Sequence, residues 1–223
     1  MQKELIERAF RAESGALAAA TAGLSDEEWA RATRCEPWAV AELLAHVRVA
    51  VGRVVDMLAA PEPDRATVTA VGYYRPDERF DAATNSARIA LAREAAGADP
   101  AGEFERTWRE VAARFDAESD RRVVRTRHGD PMLLTEFMVT RVVELAVHGL
   151  DLADALDRPA WLTEQASDVL EALLLTGADG PSVRAALGWD RATFLRKATG
   201  RAALDAAEQA EVERAGITWL TLG

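Results

Sequence analysis

Arg141-Val142-Val143-Glu144-Leu145-Ala146-Val147-His148-Gly149-Leu150-Asp151 is mostly apolar, yet it carries four polar side chains. On a helix each residue advances about 100°, so Arg141, Glu144, His148 and Asp151 fall within roughly 80° of one another. Val142, Val143, Leu145, Val147, Leu150 and Leu152 occupy most of the remaining circumference. A helix that is apolar almost all round is a buried helix. The polar stripe is therefore expected to face an interior or a cavity, where charges need partners or a metal. Glu144 and His148 are i,i+4 neighbours, close enough to grip one ion.

The rest of the chain supplies the setting for that stripe. Its 223 residues suffice for one generous domain, and half of them are hydrophobic. Lys and Arg total 27 against 37 Asp and Glu, a net charge of −10. That balance serves solubility and argues against nucleic acid or an anionic membrane surface as partner. The single cysteine, Cys35, leaves no intrachain disulfide and suits a reducing cytoplasm. Neither a signal-peptide core nor a run of about 18 apolar residues is visible. The expectation is a cytoplasmic protein.

The periodicity predicts four long helices. The first spans residues 1 to about 22, and Ser25 to Trp29 starts a short turn of helix with acidic residues at its N-terminal end. The second is expected from about Pro37, a residue suited to the first helical position, to Ala60. Its apolar arc runs from Leu44 to Leu58, and His46 sits at the edge of that arc, with Ala39 and Ala50 leaving room beside it. Pro61 ends it. The segment to Phe80 has no clear period, and its Tyr73, Tyr74, Arg75 and Arg79 either line a pocket mouth or simply pack the loop. A third helical region begins near Asp81, breaks at Gly97–Pro100 and resumes to Glu118. A short hairpin follows, from Val123 to Leu134, with His128 in its turn. The fourth helix, Leu134 to Leu156, carries the opening stripe and stops at Asp157-Arg158-Pro159. Shorter helices are expected at Glu164–Leu175, Ser182–Leu187 and Arg191–Thr199, with a turn from Gly177 to Pro181 and an apolar, extended end. The fold class is all-α: a four-helix bundle over residues 1–160, with a small hairpin and a helical C-terminal extension, 161–223, packed on it.

Metal sites in bundles are built from facing helices. Of the three histidines, His128 belongs to a Gly-Asp-Pro turn. His46, Glu144 and His148 offer two nitrogens and a carboxylate, the donor set of a catalytic zinc site with one open position. Other divalent metals use similar sets. The spacing alone is a weak signal, since a lone core histidine is usually just hydrogen-bonded.

Thr33, Cys35, Pro37-Trp38-Ala39-Val40 and Leu43-Leu44-Ala45-His46 resemble the entry segment of mycothiol-dependent maleylpyruvate isomerase-like proteins, within the DinB-like superfamily. The stripe from Arg141 to Leu152 is similar to that family's R-x-x-E-x-x-V-H-G-x-D-L segment, and Phe194–Arg201 and Leu220–Gly223 resemble its tails. The resemblance implies a DinB-like four-helix bundle, a divalent metal (usually zinc) on His46, Glu144 and His148, and mycothiol as thiol co-substrate. It also implies a possible homodimer. Glu36-Pro37 departs from the family's Pro-Gly, and Leu150 replaces a frequent aromatic. The chain also lacks the length for the sterol-carrier-like domain that follows the bundle in the isomerase.

A thiol on an open metal position is deprotonated, although metal binding softens it as a nucleophile. The function expected is thus a thiol-dependent S-transferase or isomerase acting on a small electrophile. The alternatives are a thiol-independent metal hydrolase and a non-catalytic bundle that binds metal or ligand. Asp151 is read as orienting a ligand or acting on a proton, and Arg141 as pairing with Glu144 or a substrate carboxylate. For both, the plain alternative is a structural ion pair. Cys35 is read as packing near the helix start, not as the nucleophile, and Trp38 as core.

Overall fold

In the computed structural model, residues 1–74, 82–176, 180–217 and 219–220 are described. Arg75, Arg79 and most of the turn expected from Gly177 lie outside them. The chain is all-α apart from one hairpin. Four long helices make the bundle: α1 (Lys3–Thr21), α3 (Val40–Ala59), α6 (Pro100–Ala117) and α7 (Leu134–Ala155). Around the ring, α1 packs on α6 and α7, and α3 packs on the same two helices from the other side. Between them run α2 (Asp26–Trp29), α4 (Ala70–Tyr73) and α5 (Ala82–Ala95), the last packed on α3. The hairpin pairs β1 (Val123–Arg125) with β2 (Pro131–Leu133), Val124 opposite Met132. Four shorter helices complete the chain: α8 (Glu164–Leu174), α9 (Gly180–Leu187), α10 (Arg191–Ala198) and α11 (Ala206–Arg214). Of these, α8 lies on α1 and α7, and α10 touches α7.

Local chemistry explains most boundaries. Ser25 and Glu28 form a reciprocal capping box that starts α2. Asp99 caps α6, whose first residue is Pro100. At the end of α7, Asp157 adopts a positive φ of 54°. Its N–H donates to the Asp154 carbonyl and that of Arg158 to the Ala153 carbonyl, the paired bonds of a Schellman stop.

Two boundaries differ from expectation. The second long helix begins at Val40, not Pro37. The Trp38 carbonyl is taken by the N–H and hydroxyl of Thr33, and the Val40 N–H donates to Arg31. These bonds hold residues 31–39 as a loop, so the Glu42 carboxylate caps the helix at the Ala39 N–H instead. The stretch without period also contains α4, capped by Thr69 and anchored where the Ala70 N–H donates to Glu136. In addition, α11 forms where no helix was expected. It buries little besides Val212, but its start carries an Asp205-x-x-Glu208 capping box.

The core lies among the four long helices and continues under α8 and α10. Seventeen residues of α7 are buried, among them Arg141 and Asp151, which fits the apolar circumference. Among the described residues, no helix is long and apolar enough to cross a membrane.

Candidate metal centre

The polar stripe of α7 faces α3 across a cavity of about 620 Å³. His46 projects from α3, and its Nε2 lies 3.6 Å from Glu144 Oε2. His148 Nε2 is 3.5 Å from the same oxygen. The two imidazoles meet edge to face, with ring centroids 5.2 Å apart. The three donor atoms all lie within 4.8 Å of one another. Separations of 3.5 and 3.6 Å are at or beyond the limit of a direct hydrogen bond. They suit donors that share an ion: ligands held at about 2.0–2.2 Å in tetrahedral arrangement stand roughly 3.4 Å apart. The residues present therefore fit a divalent metal.

Each donor is oriented by neighbours. Trp38 stacks on His46, centroids 4.5 Å apart at 27°. The indole is thus both core, as expected, and one wall of the site, with its buried Nε1 lacking a partner among the described residues. Arg141 is 2 % exposed. Its guanidinium donates to the Ala50 carbonyl and the Thr140 hydroxyl, lies over Phe137, and approaches Glu144 Oε1 at 3.6 Å. These bonds commit it to bracing α7 against α3 beside Glu144.

Asp151 is fully buried and accepts from three sides. His148 Nδ1 donates to its Oδ2 at 3.0 Å, which leaves Nε2 as the nitrogen that faces Glu144 and would take a metal. The Cys35 thiol donates to the same oxygen at 3.3 Å. Arg201, from the turn after α10, forks onto both carboxylate oxygens at 2.8 Å each. Cys35, His148 and Asp151 form a second group of close donors. The Arg201 fork and the His148 N–H already fill Asp151, so the group around Glu144 suits a cation better.

Electrostatics follow from these contacts. Burial pushes the Glu144 carboxyl up, but His148, His46 and Arg141 outweigh it and hold the group well below the usual carboxylate range. Burial lowers the His148 imidazole, yet Asp151, Cys35 and Glu144 outweigh it and raise the group well above the ordinary histidine value. His46 is lowered, mainly by burial and despite Glu144. Asp151 is held low by His148 and Arg201 in the face of burial. Without metal, these contacts favour a second proton on His148, at Nε2 beside Glu144, in addition to the Nδ1 proton that Asp151 holds, and a metal ion would displace the Nε2 proton.

All five stripe and α3 residues singled out in the sequence come together at this point. His128 lines the cavity from the hairpin turn, beside Tyr73 at a ring-centroid distance of 6.2 Å, but belongs to neither donor group. Tyr73 and Tyr74 do line the cavity. Arg201 escaped the sequence reading as a site residue, as did the contact of Cys35 with Asp151. The local pattern of Thr199-Gly200-Arg201 signals only a helix stop, with Gly200 at φ 71°.

The family model for the mycothiol maleylpyruvate isomerase N-terminal domain matches residues 10–153. The chain belongs to this family. The matched span takes in His46, Glu144, His148 and Asp151 but stops before Arg201. Two uncharacterised proteins from two strains of Mycobacterium tuberculosis are 32% identical to it over 171 residues. That alignment covers 68% of this chain and 57% of each relative, so the chain matches little more than half of their length. No solved structure gives a significant match.

Proposed function

We propose that the chain is a metal-dependent, low-molecular-weight-thiol-dependent S-transferase or isomerase that acts on a small electrophile. Mycothiol is the thiol the family points to. The observation that carries the reading is the spacing of His46 Nε2, Glu144 Oε2 and His148 Nε2 at the edge of a cavity large enough for two small co-substrates. His46, Glu144 and His148 would hold the ion. A bound zinc ion supplies Lewis acidity and lowers the pKa of a thiol at its open position.

The chain's own residues do the rest. Asp151 keeps the proton of His148 on Nδ1, so that Nε2 stays free. Arg141 holds the second oxygen of Glu144 in place. Trp38 keeps the His46 ring from turning and shields it from water on one face. Transfer adds the thiol across an activated double bond: the S–H bond and the C=C π bond break, a C–S bond forms, and the thiol proton passes to the adduct. Isomerisation follows by rotation about the bond now single and reversal of the addition, which restores the double bond and returns the thiol.

The test is metal analysis of chelator-free protein, followed by turnover of an electrophile panel with and without thiol. Stoichiometric metal, lost in His148→Ala, and thiol-dependent turnover are expected. Absence of metal with no uptake of added zinc would overturn the reading. Turnover without thiol would point to a hydrolase.

A further inference from the structure

Tyr73 is the last residue of α4, and its surroundings hold it more firmly than so short a helix could alone. The segment before α4 runs alongside β2, where the Thr67 and Val68 N–H groups both donate to the Pro131 carbonyl. The Ala70 N–H donates to the Glu136 carboxylate and the Tyr74 hydroxyl to the Thr140 carbonyl, which pins α4 to two successive turns of α7. Three aromatic rings then meet that of Tyr73 edge to face: Tyr74 at a centroid distance of 5.4 Å, Phe137 at 6.1 Å and His128 at 6.2 Å. Such contacts satisfy the apolar body of the ring and favour one orientation of it.

The hydroxyl is left over. A phenolic O–H can donate one hydrogen bond and accept others. Among the described residues the Tyr73 hydroxyl makes none, whereas that of Tyr74 is taken by Thr140. Tyr73 is half-buried and lines the cavity. It is therefore a donor held in place on the cavity wall without a protein acceptor. Arg53 and Arg127 are near enough to interact with it electrostatically, so the local potential favours an oxygen that gains negative charge.

The distance to the candidate metal centre follows from α7. Phe137, on which Tyr73 rests, precedes Glu144 by seven residues, two turns or about 10 Å of helix. Arg141 occupies the interval, lying over Phe137 and approaching Glu144. That separation leaves room for a thiol sulfur and the conjugated system of a small electrophile. We propose that the Tyr73 hydroxyl is a catalytic hydrogen-bond donor, which binds the carbonyl oxygen conjugated with the electrophile's double bond. The catalytic role rests on the function proposed above. As the C–S bond forms at the far carbon, the C=C π electrons shift toward the carbonyl, whose oxygen becomes an enolate and accepts the Tyr73 O–H. The proton given up by the thiol returns to the carbon beside the carbonyl, and Tyr73 keeps its own. The bond is stronger to the enolate than to the neutral carbonyl, so it lowers the barrier as well as holding the ligand.

Two measurements test the assignment with benzylideneacetone, a conjugated ketone without a carboxylate. In the first, infrared difference spectroscopy follows the carbonyl stretch of the isotope-labelled ketone on metal-free, thiol-free protein. Binding is expected to lower the frequency in the wild type, as a hydrogen bond to a carbonyl does. Tyr73→Phe, which keeps the ring and its three aromatic neighbours, should abolish most of that lowering, and an unchanged denaturant midpoint excludes misfolding as the cause. In the second, turnover of the ketone is followed on zinc-loaded protein with mycothiol. Tyr73→Phe should reduce kcat by about 100-fold with KM little changed, the loss expected for one oxyanion donor. Absence of ketone binding, the same frequency in both proteins, or an equal kcat would each overturn the assignment. A Tyr73-dependent frequency without thiol-dependent turnover would overturn the function proposed above, and the catalytic role with it, and would leave the carbonyl contact standing.

Discussion

Asp151 shows how much of the site depends on a residue that would touch no substrate. It receives the His148 Nδ1–H, the Cys35 thiol and both arms of Arg201 while wholly buried. Carboxylates that orient a metal-bound histidine typically account for about 10- to 100-fold in metal affinity. Asp151→Asn is therefore expected to weaken zinc binding within about that range, measured by competition with a chromogenic chelator. It leaves Arg201 without a full counter-charge, so a loss of stability should accompany it. Unchanged zinc affinity would assign Asp151 to structure alone. The sequence made this residue visible as part of a stripe, because α7 is regular and its periodicity survives folding. Arg201 and Cys35 were not legible as its partners. They reach Asp151 across 50 and 116 residues of chain, from loops that carry no period.

Among the elements, labour is divided between the two sides of the bundle. Among the described residues, the cavity lining draws on α3, α4, α5 and α7, on the hairpin turn and on the loops before α3 and after α10, but on no residue of α1 or α6. Those two helices contribute core instead, as with Phe10 of α1 and Phe115 of α6, each at most 1 % exposed. Phe115→Ala is expected to cost about 3–5 kcal/mol of stability by denaturant unfolding. The zinc affinity of the folded variant should be unaltered, and a coupled loss would contradict the division. The long helices were readable because each buries a broad apolar face. The start of α3 was not: Pro37 suits a helix start by residue type, yet the Trp38 carbonyl is claimed by Thr33. That preference is a tertiary one. With 4 residues, α4 is too short to show a period.

At the scale of the whole molecule, Glu13 ties the bundle to the C-terminal helices. It is buried on α1 and accepts from the Thr163 N–H at 2.9 Å and from the Thr163 hydroxyl at 2.6 Å, at the start of α8. Burial raises its carboxyl above the ordinary value, although the two Thr163 bonds oppose the rise. The folded state therefore holds this proton more tightly than the unfolded state. Its contribution is fully present below the unfolded value of about 4.5 and is lost as pH rises through the folded one. Denaturant midpoints of the wild type, relative to Glu13→Gln, should accordingly fall as pH rises above about 4.5. Gln keeps an acceptor for Thr163 without the charge, so a parallel pH dependence in the two proteins would refute the assignment.

The fork of Arg201 onto Asp151 also has a consequence for the order in which the chain is made. His46, Glu144 and His148 all leave the ribosome before Arg201, which trails Asp151 by 50 residues. Among the described residues, the partners of Asp151 that are made before Arg201 are His148, Cys35 and, at 3.9 Å, Arg34. On the metal-binding reading proposed above, an ion arriving before Arg201 would meet two neighbouring donor groups, and Arg201 would close one of them.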